Sequence, residues 1–326
     1  MVRKFVSIFS FLLFLGYSAS ATGISGTFIQ YQTWMMQINE DKWRAELDAM
    51  RAAGIGTVVI QWLKSDQVRF FPINAPGNDP TEAILKYADQ HGMQIYLGLH
   101  LEKDWWVKWN DEDFLKSAAK KNLKFAEQVS QRYSKHKSFS GWYIPFEMSD
   151  IDFDRNEVSS LNSFLKTVSY GLKKTTQKKL PVSVSVFFQG QIPAAVVAKN
   201  YTQILNQSGI DILMVQDGVG TNNWTVSLKE KVAPYLRAYR TAAQANKIRV
   251  WSVVESFSTL KDAAGANLGR APADILRMKE QMQFHESQRL EKTLTFDFFH
   301  YMSPARGEAQ SKLYKDYLTE VKGMKK

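Results

Sequence analysis

Phe139-Ser140-Gly141-Trp142-Tyr143-Ile144-Pro145-Phe146-Glu147 and Ile248-Arg249-Val250-Trp251-Ser252-Val253-Val254-Glu255 decide the fold. Each is a short run of apolar, β-branched and aromatic residues, the composition of a strand covered on both faces. Each also ends on a glutamate. A parallel sheet closed into a ring brings such strand ends to one shared mouth. As the fourth and seventh strands of a (β/α)8 barrel, the two runs deliver Glu147 and Glu255 to that mouth from opposite sides.

Runs of the same kind recur along the chain. With residues 141–147 and 249–255, those at 25–31, 57–62, 94–100, 182–188, 211–217 and 293–300 make eight predicted strands. Helical patterns lie between them, near residues 40–53, 112–134, 157–174, 193–207, 272–287 and 312–322. Asp79-Pro80-Thr81-Glu82 supplies a cap, a proline at the first helical position and a glutamate at the third. Ser227-Leu228-Lys229-Glu230 reads as a capping box. Ala53-Gly54 and His91-Gly92 read as helix ends stopped by glycine. Strand starts recur about every 40 residues, the spacing of barrel βα units. An open doubly wound sheet would alternate similarly, but no glycine-rich phosphate fingerprint follows the first strand. The expected fold is therefore α/β, a single-domain (β/α)8 TIM barrel.

The N-terminus predicts export. Met1-Val2-Arg3-Lys4, an apolar stretch over residues 5–15 and Ala19-Ser20-Ala21 have the layout of a signal peptide at 1–21, leaving a mature chain of 22–326 in the periplasm or beyond. The apolar stretch is too short for a confident membrane span, and no later one approaches the roughly 20 residues required. No stable membrane insertion is expected. The chain has no cysteine, which removes disulfides and thiolate–metal sites. Loss of Arg3 and Lys4 takes the formal charge from +10 to +8. That charge suits an acidic polysaccharide or an envelope surface, although lysine runs such as Lys120-Lys121 and Lys173-Lys174 also read as solvated helix faces. No motif points to nucleic acid.

Residues that end strands carry the chemistry of a barrel. They are rich here in acids, amides and aromatics, the groups that bind sugar hydroxyls and cover the apolar faces of pyranose rings. Gln30, Gln61, Trp62, His100, Trp105, Asp217 and Tyr301 are expected to line a carbohydrate cleft, with Trp106, Trp109 and Trp224 near its rim. Two facing carboxyls are the equipment of glycoside hydrolysis. Glu147 follows Pro145-Phe146, and desolvation there would raise its pKa and suit it to be the acid. Glu255 would then be the nucleophile. Asp217 could bind a hydroxyl, orient Glu255 or act itself, and hydroxyl binding is favoured. Neither a G-x-S-x-G elbow nor H-E-x-x-H occurs. No metal or cofactor is implied.

At these residues the chain resembles the clan A glycoside hydrolases, retaining (β/α)8 enzymes with an acid/base glutamate after the fourth strand and a nucleophile after the seventh. Gly141-Trp142-Tyr143-Ile144-Pro145-Phe146-Glu147 is close to the W-Y-x-x-N-E form of that group. Gly26-Thr27-Phe28-Ile29-Gln30 with Trp34, the segment 54–62 and Gln216-Asp217-Gly218-Val219-Gly220 resemble, more narrowly, a family of exported bacterial proteins classed as a domain of unknown function, along the whole mature chain. The resemblance implies catalytic roles for Glu147 and Glu255. It also exposes a departure: clan A enzymes usually place an asparagine that binds the sugar 2-hydroxyl where this chain has Phe146. Two other readings stay open, a non-catalytic barrel that binds glycan in envelope or exopolysaccharide assembly and an inverting hydrolase with Asp217 as base.

Overall fold

A computed structural model describes residues 23–72, 77–176, 178–224 and 228–324. The leader assigned to 1–21 and the Ser227 end of the expected capping box lie outside these residues. Eight parallel strands close into a barrel in chain order: β1 (Gly26–Ile29), β2 (Thr57–Ile60), β3 (Gln94–Gly98), β4 (Phe139–Met148), β5 (Val182–Val186), β6 (Ile212–Gln216), β7 (Arg249–Glu255) and β8 (Thr293–Phe296). Strand β8 pairs back onto β1 through Leu294 and Gly26, so the sheet has no free edge. The principal helices α1 (Glu40–Ala52), α2 (Pro80–His91), α3 (Glu112–Tyr133), α4 (Arg155–Thr175), α5 (Ala194–Ile204), α6 (Ala233–Ala245), α7 (Ile275–Ser287) and α8 (Glu308–Met324) follow the strands in turn.

Local chemistry explains the helix starts. Asp79 accepts the Glu82 amide, with Pro80 in the first turn of α2. Asp154 and Glu157 form a reciprocal capping box that starts α4 at Arg155, two residues before the expected start. Gly92 ends α2 in the left-handed region at φ 68°, where a glycine carries no Cβ penalty.

The core has two shells. Phe28, Val59, Tyr96, Tyr143, Met214, Trp251 and Leu294 fill the barrel interior, with Tyr96 and Trp251 meeting edge to face at 5.3 Å. A larger cluster, including Trp43, Trp142, Phe146, Leu165 and Tyr239, packs between strands and helices. Each large apolar side chain buried this way contributes about 1.5–3 kcal/mol. No helix among the described residues is long and apolar enough to cross a membrane.

Three of the departures from the sequence expectation fall at the barrel mouth. Strand β8 stops at Phe296 rather than continuing to His300, because Asp297 caps a short helical turn, Phe298–Tyr301, by accepting the His300 amide at 2.7 Å. Helix α7 starts at Ile275, and the preceding residues form an antiparallel hairpin of Phe257–Lys261 with Asn267–Pro272. Strand β4 bulges: Ile144 pairs with Val184 and Met148 with Val186, so four residues of β4 span two of β5. A bulge re-aims the side chains it carries, and this one carries Glu147.

Candidate active site

Glu147 and Glu255 line the same pocket, of about 150 Å³, at the C-terminal mouth of the barrel. Gln216, Thr221, Asn222, Arg270 and Gln189 share its walls with Trp106 and Phe187. A second chamber, of about 240 Å³, adjoins it through Trp106, Glu147, Phe187 and Gln189, and adds Trp105, Trp109, Phe153 and Gln191. Glu147 borders both chambers, whereas Glu255 borders the smaller alone.

A relay of amides positions Glu147. Gln30 Nε2 donates to Gln61 Oε1 at 2.9 Å, and Gln61 Nε2 donates to Glu147 Oε1 at 3.0 Å. The Tyr143 hydroxyl donates to the same oxygen at 3.1 Å. The Gln61 backbone sits so close to β3 that a Cβ on Gly98 would lie 2.1 Å from the Gln61 carbonyl oxygen, so glycine is required there. Burial pushes the Glu147 carboxyl up, and the donors Gln216, Tyr143 and Gln61 partly offset it by stabilising the charged form.

Glu255 is held differently. The Thr221 backbone amide donates to Oε2 at 2.6 Å and the Thr221 hydroxyl to Oε1 at 2.8 Å. Gly220 makes this clamp possible, because a Cβ there would meet the Phe257 carbonyl oxygen at 2.0 Å. Behind Glu255 lies Asp217, itself 1% exposed. Asp217 Oδ2 accepts from Gln281 Nε2 at 2.6 Å and faces His285 Nε2 at 3.3 Å, while Oδ1 accepts the Val219 amide at 3.2 Å. Burial, then the Asp217 charge, push the Glu255 carboxyl up to about 7. Arg277 closes the back of the site by donating to the carbonyls of Glu255 and Phe257.

The expected cleft residues divide into two groups. Gln30, Gln61 and Trp105 serve Glu147, Trp105 by donating its indole N–H to the Glu147 carbonyl at 2.9 Å. Trp62 is half-buried, its indole N–H donated to the Tyr31 carbonyl at 3.0 Å. Tyr301 is half-buried beside Phe257, ring centroids 5.2 Å apart. Two expectations are corrected. Asp217 is turned inward and its oxygens are occupied by Gln281, His285 and backbone amides, so it supports Glu255 rather than meeting a hydroxyl. His100 is a core histidine whose Nε2 lies 2.9 Å from the Asp66 carbonyl. Gly218 brings the backbone against the Phe188 carbonyl, and Gly220 brings it against Phe257 and Glu255. Phe146 is buried and packs edge-on against Trp105 and Phe164 at 5.0 and 5.2 Å. It belongs to the helix layer and not to the mouth.

Sequence reading missed Tyr143, Thr221, Arg270, Gln281 and His285. Thr221 alone carried a signal, since it directly follows the glycine pair after β6. The others reach the site from a strand interior, a hairpin and a helix.

The comparisons with known proteins agree with this architecture. The structure matches a crystal structure from Bacteroides thetaiotaomicron, provisionally assigned as an alpha-L-fucosidase, with a TM-score of 0.75 at 19% identity over 98% of this chain and 99% of that one. It matches the endo-1,4-beta-mannanase of Rhizomucor miehei with a TM-score of 0.61 at 13% identity over 93% and 94%. At these identities the likeness is one of fold, a glycosidase-type barrel. In sequence the chain is 25% identical to the Escherichia coli (strain K12) protein YbcH over 250 residues, 73% of this chain and 77% of that one. Residues 24–308 match the domain of unknown function DUF4434, and the chain belongs to that family.

Proposed function

We propose that this protein is an exported retaining glycoside hydrolase acting on a polysaccharide or oligosaccharide, with Glu255 as nucleophile and Glu147 as acid/base. The observation that carries the reading is the shared pocket: two glutamates on opposed strands face a space of about 150 Å³, suited to one sugar ring. The adjoining aromatic chamber lies on the Glu147 side. In a retaining mechanism the acid stands by the leaving group, so this asymmetry supports the assignment.

The steps are those of a two-carboxyl displacement. Glu255 in its ionised form attacks the anomeric carbon while the bond from that carbon to the leaving oxygen breaks, and Glu147 gives its proton to that oxygen. Glu147, now ionised, takes a proton from water as the water oxygen bonds to the anomeric carbon and Glu255 departs. The Thr221 clamp holds both Glu255 oxygens in place, and the amide relay does the same for Glu147. Such fixed donors require no reorganisation during reaction.

Separate Glu147→Gln and Glu255→Gln variants, screened on a polysaccharide panel, test the reading. Each is expected to lose turnover by at least about a thousandfold, the scale on which covalent and acid–base catalysis act together; undiminished turnover in both ends the assignment. For export, N-terminal sequencing of the protein recovered outside the cytoplasm should begin at Thr22.

A further inference from the structure

The hairpin that follows β7 carries Arg270 back to the mouth of the barrel, where it lines the pocket with Glu147 and Glu255. Its guanidinium lies over the Phe257 ring, Cζ 4.1 Å from the ring centroid. Phe257 is buried, so the exposed Arg270 side chain rests on a fixed aromatic face, and Tyr301 packs on the same ring. A stacked guanidinium keeps its N–H donors free at the edge of the plane.

The Tyr301 hydroxyl lies within hydrogen-bonding reach of the Arg270 guanidinium, but no carboxylate among the described residues pairs with it. Arg51, Arg132, Arg249 and Arg306 each lie within 4.0 Å of a carboxylate, and Arg277 is spent on two carbonyls. Among the described residues Arg270 forms no such pair. Its charge reaches both catalytic carboxyls, holding each somewhat lower than burial alone would. It borders the Glu255 chamber and is absent from the aromatic one. It therefore faces the ring whose anomeric carbon is attacked, not the leaving group.

We propose that Arg270 receives an anionic substituent on that ring, a uronic carboxylate or a sulfate ester, so that the protein acts on an acidic glycan. The inference rests on the hydrolase reading for its reaction but not for its binding. The ionised Glu255 in this small pocket repels an anionic sugar, and a cation on the same wall offsets that repulsion. Its fork matches the paired oxygens of a carboxylate or sulfate. A fixed counterion for the glutamates would instead affect every substrate alike.

The test compares aryl glycosides in matched sets, the neutral sugar, its uronide and its 6-sulfate, with wild type, Arg270→Gln and Arg270→Lys. Wild type is expected to favour one anionic member, and which one it favours identifies the substituent. Arg270→Gln should cut the anionic-to-neutral ratio of kcat/KM by about tenfold to a hundredfold, the range for a hydrogen bond to a charged group. Arg270→Lys should restore part of the ratio. An unchanged ratio in Arg270→Gln overturns the proposal, even if overall activity or its pH profile moves. Calorimetric titration of free uronic acids and sulfated monosaccharides into the same proteins separates the two claims. Arg270-dependent binding without hydrolysis of any set retains the anion site and removes the hydrolase. Hydrolysis with an Arg270-independent ratio does the reverse.

Discussion

Thr221 grips both oxygens of Glu255, its backbone amide at 2.6 Å and its hydroxyl at 2.8 Å. The two residues are 34 positions apart and meet because Gly220 allows the turn after β6 to close onto Phe257. Thr221→Ala removes the hydroxyl bond, so kcat/KM at neutral pH should fall by about tenfold to a hundredfold. Thr221→Ser, which keeps the hydroxyl, should stay within a few-fold of wild type. Equal losses in both would assign the effect to packing.

Asp217 stands behind Glu255 and raises its pKa to about 7, with burial the larger cause. As the proposed nucleophile, Glu255 works ionised, so activity should rise with pH along a limb centred near 7. Asp217→Asn removes the neighbouring charge, and the limb should move to lower pH. Steady-state kcat/KM from pH 5 to 9 measures this. A limb that does not move dismisses the Asp217 charge as a cause.

The same shift has a cost in stability. A carboxyl whose folded pKa is raised binds its proton more tightly in the folded state, so its contribution is fully present below the unfolded pKa, about 4.3, and is lost as pH rises through about 7. Above pH 7 an ionised Glu255 burdens the fold. Glu255→Gln should therefore melt a few degrees higher than wild type at pH 8, and the gap should close toward pH 5. Paired thermal denaturation at the two pH values decides it, and a gap independent of pH contradicts the linkage.

The aromatic chamber predicts how chain length matters. Trp106 is half-exposed and borders both chambers. Trp106→Ala should raise KM about threefold to tenfold for substrates long enough to cross from one chamber to the other, in line with the worth of one aromatic contact. Aryl glycosides with a single sugar should be much less affected.

The barrel was legible because buried parallel strands are written as continuous apolar runs, and the two glutamates stand out because charge ends those runs. The eight strands and most helix starts follow from this and from local caps such as Asp79. The supports of the site were less legible. Tyr143 lies inside a strand and reads as core, while Gln281 and His285 sit on α7 with nothing in their spacing to distinguish them from other buried polar residues. Arg270 reaches the mouth only because a hairpin folds back, and residues 257–272 show no strong alternation. Asp217 looked like a ligand group because it ends a strand, yet its direction depends on partners more than 60 residues away.

Proton NMR of the first product released from the panel's best substrate tests the pairing of Glu147 and Glu255 most directly. Wild type should release the sugar with its anomeric configuration retained. Glu255→Gly should be inactive in water and, given azide, should form the glycosyl azide of opposite configuration. An inverted product from wild type, or Glu255→Gly turning over at the wild-type rate, would contradict the account.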